Sequence, residues 1–474
     1  MTKLGDLLTI PTILAVAIFF QSCKPQPASK YDQLLGYEGT YEYIGNTTLD
    51  IIVSDLDSTL YALIDNAKYP LAFSSVDTFS NVQGTAVIFY RTEDGQVSGY
   101  QVNAEKFALI DREVRRQTMI PRKELLGHSE NYRYVAPSPL TDGLETGSIQ
   151  EAFENPEALI DMIKETIKGN YPDVHSILIM KNDRLVLEEY FYDYDQNTPH
   201  QLRSATKPFI GGVMGIAMDQ GLIKSEEDGL YQYFKDRYPD IEITKDKEKI
   251  TIEDFLTYRH GLDCENDNPE SLGSEAAMMQ SEDWVKYTLD LPVKQDPGTI
   301  TSYCTGCSLT IGQLVEVATG GMIEDFAREN LFAPMGITNY KWKFEANPKS
   351  ITTFSQMYLT PRDLVKLASM FKNGGTWNDQ QIISKSWVDK TFDKSNGAYG
   401  YLWLHRDFTV NGKTYNSYLA TGNGGQKISI WPKLDMITVF TGGNYNSYQL
   451  YGKSTPPNEM IPKYVLAGLN KPVP

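Results

Sequence analysis

Apolar residues change their spacing along the chain, and the changes divide it. From 36 to 135 they come in short runs. Tyr37-Glu38-Gly39-Thr40-Tyr41-Glu42-Tyr43 alternates, the period of a strand with one buried face. Strand-length runs follow at 49–53, 60–64 and 86–90, and turns such as Glu93-Asp94-Gly95 separate such segments. This predicts a small antiparallel β-barrel or sandwich module over 36–135. Ala136-Pro137-Ser138-Pro139-Leu140-Thr141-Asp142-Gly143 then reads as a linker, placed at 136–148. A helical period opens the next region at 149–167, with strands expected at 176–180 and 185–191. Further on, an apolar run covers 208–218. An amphipathic helix pattern covers 363–371 and stops at Asn373-Gly374-Gly375, a C-cap and turn.

The start of the chain carries a different signal. Ile13-Leu14-Ala15-Val16-Ala17-Ile18-Phe19-Phe20 is too short to span a bilayer but fits the core of a signal peptide, after the basic Lys3. Cys23 follows Gln21-Ser22, similar to the lipobox of bacterial lipoproteins. The expectation is a signal peptide at 1–22, cleavage before a lipid-bearing Cys23, and an extended tether at 23–35 rich in Pro and Lys. That places the protein outside the cytoplasm, in a bacterial periplasm or at a cell surface. A net charge of −17 disfavours nucleic acid and anionic lipid as partners, so membrane contact is expected through the anchor only. At 474 residues the chain is too long for one ordinary domain. With Cys23 lipidated, Cys264, Cys304 and Cys307 remain. Export permits one disulfide and leaves one thiol free; three buried free thiols are the alternative.

Candidate chemistry sits just before the 208–218 run. In Ser204-Ala205-Thr206-Lys207, residues three apart share one helix face, so the hydroxyl and the amine come within reach. A buried lysine loses its proton more easily and can accept the serine's, making a nucleophile without histidine. The tetrad recurs at Ser369-Met370-Phe371-Lys372, where a lysine in the last helical turn is expected on dipole grounds alone. Ser204 therefore needs corroboration.

Two downstream stretches give it: Pro297-Gly298-Thr299-Ile300-Thr301-Ser302-Tyr303-Cys304-Thr305-Gly306, and Ala420-Thr421-Gly422-Asn423-Gly424-Gly425-Gln426. With Ser204 they resemble, in order and placement, the motifs of the serine β-lactamase and penicillin-binding-protein superfamily. The branch is the class C β-lactamase-like one, with its esterases and 6-aminohexanoate-dimer hydrolases. The resemblance covers roughly residues 150–450. It implies a mixed α/β (α+β) hydrolase domain over 149–474, an antiparallel sheet with flanking helices packed on an all-helical subdomain. The 36–135 module is similar to the lipocalin-like β-module often appended to such hydrolases.

The resemblance also implies roles. Ser204 is the acyl-accepting nucleophile, Lys207 helps deprotonate it, and Tyr303 shuttles protons, its phenol acidified by the lysine charge. The backbone N–H groups of Ser204 and Asn423 hold the oxyanion. Thr305, Ala420, Thr421, Gly422 and Gln426 are expected to contact substrate, and a Cys264–Cys304 bridge would staple the loop beside Tyr303. The pattern departs from the penicillin-recognising enzymes where Ala420 replaces a basic residue and Thr305 an asparagine. Both changes suit a small-molecule ester or amide substrate without a carboxylate. A true β-lactamase or a D-Ala-D-Ala or D-amino-acid peptidase is the alternative within the enzymes, and an inactive binding or sensor protein the alternative outside them.

Other chemistries find no motif. The sequence has no G-x-S-x-G elbow and no Walker loop, and its 5 histidines include no H-x-x-x-H pair. His200 and His260 read as structural, and no metal or cofactor is expected.

Overall fold

The computed structural model describes residues 29–43, 47–64, 67–114, 118–342, 344, 357–447 and 454–471. The expected signal peptide, Cys23 and the residues after it up to 28 lie outside the described residues. The end of the expected tether is not extended. Ser29 caps a short helix, Lys30–Leu34, and Leu34 is buried against the barrel core. An apolar side chain with a capping box beside it folds down rather than staying solvated.

Among the described residues, eight short strands close into an antiparallel barrel, in chain order from Gly39–Tyr43 to Glu105–Asp111. The first strand pairs with the second and with the last, Thr40 facing Asp111. Alternation sends Tyr41, Phe79, Phe89 and Tyr100 inward. Tyr41 meets Phe89 and Tyr100 edge to face at centroid distances of 6.0 and 5.6 Å. The barrel interior is a packed aromatic core.

The barrel ends at Asp111, well short of the expected boundary at 135. Residues 118–135 start against the barrel, where Thr118 and Met119 donate to Asp55, and then pack on the next domain. Tyr132 is buried in that domain's core, Arg122 Nε donates to the Tyr190 carbonyl at 2.7 Å, and the Tyr134 hydroxyl donates to the Val186 carbonyl at 2.7 Å. The prolines at 137 and 139 mark a stiff stretch of backbone, not the edge of a core. The linker itself is fixed too: Glu145–Thr146 pairs in parallel with Arg184 and Leu185, and Arg362 Nε holds Asp142 at 2.7 Å.

The second domain is built on an eight-stranded sheet, antiparallel except at the Glu145–Thr146 edge. Its central strands are Lys413–Gly422, Gln426–Trp431, Met436–Gly442, Val174–Lys181 and Arg184–Tyr190, adjacent in that order. The expected 149–167 helix is split into Ile149–Ala152 and Pro156–Ile167, because Pro156 cannot donate into a preceding turn and starts a helix instead. On one face Leu159, Met162 and Ile163 of that helix pack with Trp431 and Phe440. On the other face Ile428, Ile430 and Val439 share a core with the helix Pro361–Lys372, which lies on their strands, and with the helices Lys207–Asp219 and Thr305–Thr319, which pack on each other. The two faces of single strands thus feed different cores. Across the domains, Lys68 forms an ion pair with Asp173 at 2.6 Å, and Asn446 Nδ2 donates to the Tyr69 hydroxyl.

Candidate active site

Ser204 lies on the tight turn Arg203–Thr206 that runs straight into the Lys207–Asp219 helix. Arg203, just before it, has a left-handed backbone with φ of 50°, a strained conformation for a side chain of this size. Its guanidinium lies 4.9 Å from the Tyr445 ring. Pro208 falls at the second helical position, where a missing N–H costs nothing.

The structure brings Ser204, Lys207, Tyr303 and Thr305 together. Lys207 Nζ donates to Ser204 Oγ at 2.8 Å, to the Tyr303 hydroxyl at 2.6 Å and to Thr305 Oγ1 at 3.0 Å. Burial lowers the amine's pKa to about 8, against the opposing pull of Glu275 and Asp267. The expected acidified phenol is not found. Burial raises the pKa of Tyr303 above the ordinary phenol value, outweighing a hydrogen bond with Ser204, so Tyr303 keeps its proton. Its ring is packed between Tyr258 at 5.1 Å and Tyr399 at 5.8 Å.

The elements around Tyr303 are tied to each other. Cys264 and Cys304 form a disulfide and Cys307 is a buried free thiol. Asn266 N–H donates to the Tyr303 carbonyl at 2.8 Å, and Thr305 N–H donates to Asn266 Oδ1 at 3.0 Å. His260 is structural, as read from the sequence: Nε2 meets the Ser302 carbonyl at 3.0 Å while Nδ1 accepts from Leu262 N–H. His260, Cys304 and Cys307 are the described residues whose ligand atoms cluster within 4.8 Å, but the Cys304 sulfur is already bonded to Cys264.

Strand Lys413–Gly422 ends against the Ser204 turn. A Cβ on Gly422 would sit 2.1 Å from the Leu202 carbonyl oxygen, so only glycine fits. Asn423 follows that contact. Its side chain is exposed, and its amide exchanges hydrogen bonds with Asn446 at 2.6 and 2.7 Å.

The residues expected to contact substrate differ in burial. Ala420 is fully buried in the core beneath the helices, and strand alternation puts Thr421 on the opposite face, across from Lys427. Gln426 is buried and its amide clasps Gly442, accepting from the N–H at 3.2 Å and donating to the carbonyl. Gly422 contacts the Ser204 turn. Thr305 is buried, with its hydroxyl between Lys207 and Glu275. Ala420, Gln426 and Thr305 are thus buried while Thr421 and Gly422 are half-buried, and motif spacing does not tell which face a strand turns to the cleft. The second tetrad is structural: Lys372 bonds Asp183 at 2.8 Å and also Asp435. His200 is buried, its Nε2 3.3 Å from His175 Nδ1.

Glu275, Asn266 and Tyr399 were not singled out in the sequence. Nothing local marks them. Glu275 opens a short helix capped by Ser274, like many acidic residues.

A Beta-lactamase family model matches residues 167–447. An uncharacterized protein of Alkalihalophilus pseudofirmus is 20% identical over 57% of this chain and 84% of its own length. Monacolin J acid methylbutanoyltransferase of Aspergillus terreus is 29% identical, over 32% of this chain and 40% of its own. Among solved structures, a family VIII carboxylesterase superposes with a TM-score of 0.50 at 14% identity, covering 67% of this chain and 98% of that one. EstCE1, a hydrolase with promiscuous acyltransferase activity, gives 0.50 at 12% identity over 66% and 99%. The family match covers the sheet apart from its Glu145–Thr146 edge, the Ser204 turn and the helices beneath, and with it the chain belongs to the Beta-lactamase family of serine hydrolases.

Proposed function

We propose that this protein is an exported, lipid-anchored serine hydrolase that cleaves a small ester or amide through an acyl-enzyme on Ser204. The observation that carries the reading is the buried Lys207 amine, 2.8 Å from Ser204 Oγ and 2.6 Å from the Tyr303 hydroxyl, with a pKa near 8. At neutral pH roughly a tenth of such amines are uncharged. A neutral Lys207 takes the Ser204 proton as Oγ attacks the substrate carbonyl carbon. The backbone N–H groups of Ser204 and Asn423 stabilise the oxyanion, supported by the close packing of Gly422 on the Ser204 turn. As the intermediate collapses, Tyr303 gives its proton to the leaving oxygen or nitrogen and recovers one from the Lys207 ammonium. Water then attacks the acyl-enzyme, with the same groups moving the proton in reverse.

Export and anchoring rest on the sequence: the apolar run ending at Phe20, then Cys23. Thr305, which bonds Lys207 where the penicillin-recognising enzymes place an asparagine, supports an esterase or amidase over a β-lactamase. The test is intact-mass detection of a fluorophosphonate adduct. Labelling of wild type but not Ser204→Ala is expected, with turnover of p-nitrophenyl acetate and not of nitrocefin. Equal labelling of Ser204→Ala would overturn the assignment, and faster nitrocefin turnover would replace esterase with β-lactamase. Labelling of the membrane fraction with palmitate, lost in Cys23→Ala, tests the anchor.

A further inference from the structure

We infer that Glu275 is a positioning residue for Lys207, acting through the Thr305 hydroxyl. The inference rests on the reading of Ser204 and Lys207 as the reacting pair and adds a group which that reading does not use.

The hydroxyl of Thr305 has one proton. Lys207 Nζ donates to Thr305 Oγ1 at 3.0 Å, so the threonine is the acceptor in that contact. Its own proton goes to Glu275 Oε1, 2.9 Å away. The chain Lys207, Thr305, Glu275 therefore has a fixed direction, from an ammonium that donates to a carboxylate that accepts. Such a chain polarises its middle hydroxyl, and both ends gain from charge. It fixes the amine by a third contact, beside Ser204 and Tyr303. It also favours the ammonium that forms when Ser204 gives up its proton.

The surroundings leave this role to Glu275. The charges that Lys207 senses are Glu275 and Asp267. Asp267 is exposed on the loop, where water screens it, whereas Glu275 is half-buried. Tyr303 stays a neutral phenol, and Arg203 turns its guanidinium to Tyr445. The carboxylate is held in place by its own backbone. Glu275 N–H donates to the Asn266 carbonyl at 3.0 Å, Asn266 clasps both Tyr303 and Thr305, and the Cys264–Cys304 disulfide joins the two segments. The segment 264–275 is thus a clip that carries one carboxylate to the base of the site.

The readout is the pH profile of Ser204 acylation. Glu275→Gln removes the charge and keeps the shape. Without the carboxylate the ammonium is less favoured, so Lys207 is neutral at lower pH. The acid limb, set near 8 by the amine, should move down by about one pH unit. The plateau rate should fall several-fold as the amine loses its orientation. Thr305→Val should lower the plateau as well, and adding Glu275→Gln to it should cost little more. Thr305→Asn should restore the rate, because its amide oxygen can accept from Lys207 while its N–H donates to Glu275. A labelled, folded Glu275→Gln protein with an unmoved limb, or losses that simply add in the double variant, would overturn this inference alone. A wild-type chain that does not label at Ser204 would overturn both this inference and the reading beneath it.

Discussion

Replacing Lys207 by methionine should change how the stability of the hydrolase domain depends on pH. Methionine nearly keeps the volume of the side chain and removes the charge. In the folded protein the amine titrates at about 8, against 10.5 for a free lysine, and burial is the main cause. That gap corresponds to about 3 kcal/mol of cost for burying the ammonium. Below the folded value both states bind the proton, and the whole cost is present. As pH rises the folded amine deprotonates first while the unfolded chain still holds its proton, so folding becomes more favourable. Above the unfolded value both are neutral and the cost is gone. From about pH 7 to about pH 10 the wild type should gain about 2.5 kcal/mol relative to Lys207→Met. Hydrogen bonds lost by Ser204, Tyr303 and Thr305 offset the variant by a constant and do not alter this slope. The assay is urea unfolding followed by tryptophan fluorescence. All 6 tryptophans, the first of them Trp284, lie after residue 149, so the signal reports on the hydrolase and not on the barrel. A difference between the two proteins that stays flat over this range would refute the claim that a buried, pKa-lowered amine sits at the site.

A chain starting at Thr118 should fold and label at Ser204, with acylation slowed several-fold because Asn446 loses its Tyr69 partner. One starting at Ala136 should be less stable by about 3–5 kcal/mol, since the buried Glu189 loses Arg122 and Tyr132; equal melting of the two truncations would refute that boundary. Ala420→Lys should destabilise by a few kcal/mol, because the position is fully buried, and should not favour carboxylate-bearing substrates; a raised kcat/KM ratio for a matched substrate pair would show that this residue reaches the cleft. Replacing both Cys264 and Cys304 by serine should cost about 4 kcal/mol from the loop it opens and should slow labelling; unchanged unfolding midpoints and labelling would refute a bracing role.

What the sequence alone determined is local. Ser204 and Lys207 are legible because a three-residue spacing on one turn fixes their relation whatever surrounds them. Tyr41 and its neighbours announce a strand because a period of two needs no partner to be seen. The stop of the Pro361–Lys372 helix is likewise written in Asn373 and the glycines after it. Tertiary structure decided whatever depends on distance through space. It closed the barrel by pairing the Thr40 and Asp111 strands, chose which cysteine bonds Cys304, and turned Ala420 into the core and Thr421 to the far face. It brought Glu275 to the hydroxyl of Thr305, thirty positions away along the chain. It also set the protons. The Lys207 amine is lowered and the Tyr303 phenol raised by the same burial, because an apolar surrounding penalises whichever form is charged, and that surrounding is assembled from residues far apart in the sequence.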